Sequence, residues 1–161
     1  MNVHERDRAG RTPLHYAVTR TPHDLPYIAA QNDPALAAEV ARKSYEFKVA
    51  NTTTLLGQGA DVNAVDDEGY APLHIAAASD SVDIVQLLLD NGAEINVQSN
   101  TGETPLYSAV RNTTPAAAAI MRLLRERGAD PTIANEKGQT PLRFVSRFGK
   151  PEEREIFADL L

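Results

Sequence analysis

Imidazole can transfer protons or bind a metal near neutral pH, so the four histidines are the first residues to examine for chemistry. His15 and His74 occupy the same place in two similar strings, and the other two histidines have no partner at ligand spacing. In two further strings Tyr107 and Arg143 stand at this position, which argues against catalysis there. Because the chain has no cysteine, it contains no zinc pattern of Cys and His. We expect structural histidines and no metal site.

No other arrangement in the sequence is typical of a catalytic centre. Gly57-Gln58-Gly59 resembles part of a phosphate loop, but no G-x-x-x-x-G-K-[ST] motif follows. No pair of carboxylates is set apart as acid–base catalysis requires. No serine is flanked as in a nucleophile elbow. The sequence therefore predicts no enzyme activity, no catalytic residues and no cofactor.

The elements that carry these residues recur along the chain. The similar strings are RTPLHYAV, YAPLHIAA, ETPLYSAV and QTPLRFVS, which begin at Arg11, Tyr70, Glu103 and Gln139. Each string follows a glycine, and these glycines are Gly10, Gly69, Gly102 and Gly138. Their spacings are 59, 33 and 36 residues. A second marker, Gly-Ala followed by Asp or Glu, recurs in phase at residues 59–61, 92–94 and 128–130. An internal repeat therefore organises the chain.

Each unit has the pattern of two short helices and a turn. Thr12-Pro13 and Thr104-Pro105 predict helix starts, because Thr caps free backbone N–H groups and Pro suits the first helical position. In the second unit an inner helix over Pro72–Ser79 precedes an outer helix over Val82–Leu89, which has apolar residues at helical spacing. The polar link from Gly92 to Gly102 predicts a β-hairpin finger. One helix pair cannot bury both apolar faces, so neighbouring units must stack.

The period and the TPLH-type motifs at 12–15, 71–74, 104–107 and 140–143 resemble the ankyrin repeat. The resemblance covers nearly the whole chain. It implies an all-α solenoid of about four stacked helix-turn-helix units with β-hairpin fingers, in which the motif His bonds its own turn and neighbouring backbone. It predicts a single domain over 1–161, with repeats at about 6–65, 66–98, 99–134 and 135–161, the last of them a cap.

The first unit departs most from the pattern, because its spacing is about 26 residues longer than the usual 33. We place an insertion at about 21–50. Asp33-Pro34 predicts a helix start, and the helix formers of Ala35–Ala50 extend the outer helix toward Leu55. The stretch Asn51–Thr54 is weak and leaves a break open. Thr21–Asn32, with two prolines, is interpreted as an excursion from the inner helix.

The charge distribution bears on the partner. A net charge of −6 disfavours nucleic acid, which needs a basic face. Nine carboxylates and no Lys or Arg lie between Val49 and Val110. This acidic block is either a solvated face or a field that attracts a basic protein partner. No window approaches the roughly 18 apolar residues of a membrane span, and the N-terminus lacks the apolar core of a secretory signal. We expect a cytoplasmic, soluble monomer with no membrane attachment.

The resemblance implies a concave partner-binding surface formed by fingers and inner helices. Its candidate finger residues are Arg8, Arg11, Asp67, Glu68, Asn100, Thr101 and Glu103. Its candidates at the finger base and on or after the inner helices are Tyr70, Ser79, Asp80, Arg111 and Asn112. In the insertion, Tyr45 and Phe47 are candidate anchors, because aromatic residues dominate interface hot spots. Charged finger residues could equally keep the turns soluble, and the two aromatics could pack against the outer helices.

The predicted function is therefore binding to a protein partner. One hypothesis is an inhibitor or immunity-type protein that covers a basic enzyme or toxin. The alternative is a general cytoplasmic adaptor or scaffold. Sensitivity of the complex to salt separates them, because only a charge-driven complex weakens strongly at high ionic strength.

Overall fold

A computed structural model describes residues 2–18 and 33–161. The helices are α1 Pro13–Ala17, α2 Pro34–Gly57, α3 Pro72–Ala77, α4 Val82–Asp90, α5 Pro105–Val110, α6 Ala117–Glu126, α7 Pro141–Phe148 and α8 Pro151–Ile156. No residue of the two described ranges lies in a β-strand. Within those ranges no helix is long and apolar enough to cross a membrane. The predicted all-α solenoid is confirmed.

The helices pack as four successive pairs in two layers. The inner helices α1, α3, α5 and α7 contact one another in order, and the outer helices α2, α4, α6 and α8 do the same. Each inner helix begins with a proline after an extended residue, as the sequence predicted. The Thr104 and Thr140 hydroxyls accept hydrogen bonds from the Tyr107 and Arg143 N–H groups in the first turns of α5 and α7.

The core lies between the two layers and runs without interruption through all four pairs. Leu14, Leu73 and Leu106 stand at the same repeat position and are fully buried. Ile84 and Ile120 fill the outer layer opposite them. Each such side chain contributes about 1.5–3 kcal/mol to folding when it leaves water. Stacking therefore supplies the stability that a single pair lacks.

Helix α2 is continuous through Asn51–Thr54, where the sequence left a break open. Within this stretch the hydroxyls of Thr53 and Thr54 donate hydrogen bonds to the Val49 and Ala50 carbonyls of the preceding turn, each at 2.8 Å. Weak helix propensity is overridden because the same stretch packs on its neighbours. The excursion interpreted over Thr21–Asn32 lies outside the described residues.

Tight turns stand where the sequence predicted β-hairpin fingers, and the hairpins themselves are not confirmed. We call these finger turns 7–11, 66–70, 99–103 and 135–139. In each, the first N–H donates to the last carbonyl at 2.9–3.0 Å, and the glycine N–H returns to the first carbonyl. The glycines adopt positive φ values, such as +80° at Gly69, that other residues rarely tolerate.

Backbone hydrogen bonds join each finger turn to the next. The bonds run from Asp67 N to Ala9 O (3.0 Å), from Asn100 N to Glu68 O (3.0 Å) and from Glu136 N to Thr101 O (2.9 Å). Each bond links equivalent parts of successive turns. The four turns therefore form one continuous row beside the inner helices.

Candidate protein-binding groove

A groove of about 640 Å³ lies between the row of finger turns and the inner helices α3 and α5. We call it the central groove. Its finger-turn side consists of Arg11, Asp66, Glu68, Tyr70 and Glu103. Its helix side consists of His74, Ile75, Ala78, Ser79, Ser108, Arg111, Asn112, Thr113 and Thr114. The combination of an aromatic ring, both charge signs and small apolar side chains suits recognition of a protein surface.

The His74 ring fixes one edge of the central groove. Its Nδ1 accepts the Ala71 backbone N–H at 3.1 Å, and its Nε2 lies 2.9 Å from the Glu103 carbonyl oxygen. A carbonyl only accepts, so Nε2 carries the proton and the ring is neutral. Burial lowers the pKa of His74 below its ordinary value of 6.5. The imidazole therefore acts as a strut between one unit and the next.

His15 repeats this arrangement in the first helix pair. Its Nδ1 accepts the Thr12 N–H at 3.1 Å, and its Nε2 lies 2.9 Å from the Tyr70 carbonyl oxygen. Burial also lowers the pKa of His15 below its ordinary value of 6.5. At the equivalent position Tyr107 reaches the next turn through its hydroxyl, which donates to Gln139 Oε1 at 2.7 Å. The structural role predicted for the two histidines follows directly from these contacts.

Tyr70, Glu103 and Arg111, three predicted binding residues, meet in the central groove. The Tyr70 hydroxyl donates to Glu103 Oε2 at 3.1 Å, and Arg111 bonds Glu103 Oε1 at 3.3 Å. The Arg111 guanidinium also lies 5.9 Å from the centre of the Tyr107 ring. Burial and the Glu103 carboxylate raise the pKa of Tyr70, so its hydroxyl stays protonated near neutral pH. These side chains are held in place before any partner arrives.

Arg11, another predicted binding residue, pairs with Asp66 at 3.3 Å. The Asp66 carboxylate is almost fully buried, and its Oδ1 accepts the N–H groups of Glu68 and Tyr70. Hydrogen bonding to Asp66 raises the pKa of Arg11. Asp66 therefore closes its finger turn, while Arg11 presents a side chain to the central groove.

The acidic block contains no Lys or Arg of its own, but bases from the flanking segments neutralise part of it in the folded protein. Four of its carboxylates form ion pairs with bases from the flanking segments. These pairs are Arg11–Asp66, Lys48–Asp80, Arg111–Glu103 and Arg127–Asp90. Among the described residues no ion pair reaches Asp61, Asp67, Glu68, Asp83 or Glu94. The sequence could not show this, because the paired residues are 8 to 55 positions apart along the chain.

Four predicted finger residues lie exposed on the row of turns: Arg8, Asp67, Asn100 and Thr101. The Asn100 amide donates to the Asp67 carbonyl at 2.8 Å, and the Thr101 hydroxyl bonds Ser99 at 3.1 Å. Asn100 and Thr101 thus stiffen the turns. Asp67 and Arg8 keep their charged groups in solvent.

Asn112 and Ser79 line the central groove, but their side chains donate hydrogen bonds to backbone carbonyls of the fold. The Asn112 amide donates to the Ala77 carbonyl at 3.1 Å and to the Ser79 carbonyl at 2.6 Å. The Ser79 hydroxyl donates to Ala76 O at 2.7 Å. Asn112 is buried and Ser79 half-buried, so both shape the groove wall. Their contact with a partner stays a prediction.

Tyr45, Phe47 and Asp80 lie apart from the central groove. Tyr45 and Phe47 are each 40% exposed on α2. The Tyr45 hydroxyl donates to Asp83 at 2.6 Å, and Lys48 bonds Asp80 at 3.3 Å. These two contacts tie α2 to the start of α4. Any contact that Tyr45 or Phe47 makes with a partner therefore requires a second surface.

Seven residues that line the central groove were not among the predicted binding residues: Asp66, His74, Ile75, Ala78, Ser108, Thr113 and Thr114. Of these, Ile75, Ala78 and Ser108 are neither charged nor aromatic, so their residue types gave no binding signal. A usable signal exists, since Ile75 and Ser108 directly follow the motif position in their repeats and Ala78 comes three residues after Ile75. Positions separated by one helical turn share a face.

Stacked pairs of antiparallel helices, joined by glycine-closed turns, define a repeat protein of the α-solenoid class. Residues 36–135 match the family model of ankyrin repeats in three copies. The chain therefore belongs to the ankyrin-repeat family, whose repeats are general protein–protein interaction modules.

The chain matches only a small part of the length of its curated relatives. The chain is 39% identical over 101 residues to neurogenic locus notch homolog protein 2 of Homo sapiens, covering 55% of this chain and 4% of that protein. It is 34% identical over 89 residues to protein fem-1 homolog A of Danio rerio, covering 55% of this chain and 12% of that protein. It is 33% identical over 95 residues to potassium channel AKT2/3 of Arabidopsis thaliana, covering 54% and 12%. The matches thus span about an eighth or less of these relatives.

Proposed function

We propose that this chain binds a protein partner in the central groove. The observation that carries the proposal is the fixed arrangement of Tyr70, Glu103 and Arg111 beside the apolar surface of Ile75 and Ala78. Side chains already ordered in the free protein lose little conformational entropy on binding. Tyr and Arg are also the residue types that dominate interface hot spots.

The finer proposal concerns the partner's charge. Asp67 and Glu68 are exposed at the edge of the groove, and no described ion pair neutralises them. Such charges raise the association rate of a basic partner and add specificity. The proposal is an inhibitor or immunity-type protein that covers a basic enzyme or toxin. A general adaptor that binds through apolar contacts is the competing outcome.

The groove is tested with two matched substitutions, Ala78→Arg and Ala119→Arg. Both positions are exposed, but Ala78 lies in the central groove and Ala119 on the outer helix α6. Proteins captured from the native cell lysate are quantified for the unmodified chain and for each variant. We expect Ala78→Arg to lose the specific partner and Ala119→Arg to retain it. Equal retention by both variants would place binding elsewhere and refute the proposal.

The charge of the partner is tested by the double substitution of Asp67 and Glu68 to lysine, with Glu94→Lys as the control. Glu94 is exposed and without an ion pair among the described residues, but it does not line the groove. A basic partner is lost at high salt and from the double variant, and is kept by the control. A partner retained under all three conditions supports the adaptor instead.

A further inference from the structure

A second surface stands at the fourth helix pair. Around a cavity of about 190 Å³ lie Lys137 and Gln139 of the fourth finger turn and one face of α7. We define the basic-aromatic patch as Lys137, Arg143, Phe144, Arg147 and Phe148. None of these residues was predicted from the sequence to bind a partner.

The patch continues the face that forms the central groove. Residues 36 positions apart are equivalent in the third and fourth units, as the spacing of Gly102 and Gly138 shows. The equivalent pairs are Ser108 and Phe144, Arg111 and Arg147, and Asn112 and Phe148. The first member of each pair lines the central groove and the second lines the patch. A segment lying along the groove can therefore extend onto the patch.

The cations of the patch are exposed, and none of them forms an ion pair within the described residues. Lys137, Arg143 and Arg147 all lie on the surface. The equivalent Arg111 is neutralised by Glu103 at 3.3 Å. At the position of Glu103 the fourth unit carries Gln139, which has no charge to offer. A local excess of positive charge results, in a protein whose net charge is −6.

The aromatic rings give the patch an apolar surface that packing holds in place. Phe148 is 63% exposed, the highest value among the described large apolar side chains. Phe144 lies 5.3 Å from Phe148 and 6.2 Å from Tyr107, measured between ring centres. The Arg147 guanidinium lies 5.2 Å from the centre of the Phe148 ring. Stacking of this kind orients the arginine and leaves its outer N–H groups free for a carboxylate.

We infer that the basic-aromatic patch binds an acidic segment of a protein partner, one that places an apolar side chain on Phe148 between carboxylates. Charge complementarity and the exposed ring select this occupant. Nucleic acid fits less well, because Lys137 directly follows the exposed Glu136 on the same turn and the acidic block lies in the preceding units. The inference rests on the proposed function, that this face of the repeats receives a protein.

The test uses a short synthetic peptide in which glutamates alternate with leucines. A matched peptide has glutamine in place of every glutamate. Each is titrated into the full, isotopically labelled chain while backbone amide resonances are followed by NMR. We expect the acidic peptide to shift resonances of residues 137–148. The affinity of the glutamine peptide should be lower by about tenfold or more. The Arg143→Glu, Arg147→Glu double variant should weaken acidic-peptide binding by about tenfold or more, since a tenfold loss is about 1.4 kcal/mol.

The matched control is the Arg122→Glu, Arg154→Glu double variant, which changes net charge equally. Both arginines are exposed on outer helices and have no ion pair among the described residues. It should retain the acidic peptide. If both double variants weakened binding of the acidic peptide equally, the effect would be one of net charge alone, and the inference would be overturned. Equal binding of the glutamine peptide, or tighter binding of a single-stranded oligonucleotide of the same charge, would overturn it as well.

Phe148→Ala supplies a second variant that leaves every charge unchanged. Because the ring is mostly exposed, we expect the fold to survive and peptide affinity to fall severalfold. Undiminished affinity would remove the aromatic part of the inference. Ala78→Arg separates this inference from the proposed function, because it blocks the central groove and leaves the patch intact. Loss of the peptide on Ala78→Arg, with no loss on the patch variants, would assign the peptide to the groove and refute the patch.

Discussion

The Nε2 atom of His74 lies 2.9 Å from the carbonyl oxygen of Glu103, so a side chain of the second unit is bonded to the main chain of the third. The same ring accepts the Ala71 N–H at the start of its own helix. One imidazole therefore bonds backbone groups of two different units. Its removal would leave the buried Ala71 N–H without this acceptor and the Glu103 carbonyl with the Ser99 N–H alone.

His74→Ala is expected to lower the free energy of unfolding by about 1–3 kcal/mol, because the buried Ala71 N–H loses its acceptor and the tie to the Glu103 carbonyl is lost. The measurement is the midpoint of urea unfolding at neutral pH. His4→Ala serves as the control, since His4 is exposed. An equal, small effect of the two substitutions would show that the bridge contributes nothing to stability.

Acidification should destabilise the protein before its carboxylates titrate. Burial lowers the pKa values of His15 and His74 in the folded state, so the unfolded chain takes up their protons first as pH falls below 6.5. Stability is therefore at its full value above that pH and declines below it. Carboxylates with lowered pKa values have ordinary values of 3.8–4.5 and act only at lower pH.

Urea midpoints between pH 7.5 and 5 measure this decline. These limits bracket the ordinary histidine value of 6.5. The His15→Gln, His74→Gln double variant should show a flatter pH dependence, since it lacks both buried titrating groups. A parallel decline in the double variant and the unmodified chain would assign the effect to other residues.

Gly69→Ala should cost more stability than Gly59→Ala, although both glycines have similar positive φ values of 80° and 83°. A Cβ at Gly69 would lie 2.5 Å from the Asn100 backbone N, whereas a Cβ at Gly59 meets nothing within 4 Å. Gly59→Ala therefore pays only the left-handed backbone cost of about 1–2 kcal/mol. Thermal unfolding of the two variants checks the order. Equal losses would mean that the adjoining turn moves aside freely.

Asn112→Ala is expected to destabilise the fold by about 1–3 kcal/mol, because the buried Ala77 carbonyl loses the Asn112 donor and the Ser79 carbonyl keeps only the Thr114 hydroxyl. Thr113→Ala, an exposed change beside it in the same groove, should alter stability by less than about 0.5 kcal/mol. Urea unfolding distinguishes the two. If Asn112→Ala left the free energy of unfolding unchanged, contact with a partner would be the remaining role for this residue.

Local signals in the sequence were sufficient for the helix framework. The Thr-Pro pair at Thr104 predicts the start of α5, and the threonine hydroxyl caps that helix as expected. The periodic glycines predict the turns, because their left-handed backbone is a property of the residue itself. Such features depend on neighbours a few positions away, and sequence shows those neighbours.

Contacts between different helix pairs could not be predicted from the sequence. Arg127 neutralises Asp90 from 37 residues away, and Lys48 neutralises Asp80 from 32. These pairings depend on the rotation and offset between successive units, which a motif does not specify. The sequence favoured an extended α2 but left a break open at Asn51–Thr54, because local propensity there is weak and packing on neighbouring helices is not visible in the sequence.

In the row of finger turns, different atoms serve folding stability and partner binding. The turns are joined by main-chain atoms, such as the Asp67 N–H and the Ala9 carbonyl, which are the same whatever side chains the residues carry. Exposed side chains such as Asp67, Glu68 and Glu136 can therefore be exchanged with little penalty to the stack. A scaffold of this kind can change its partner through a few surface substitutions while its folding stability stays constant.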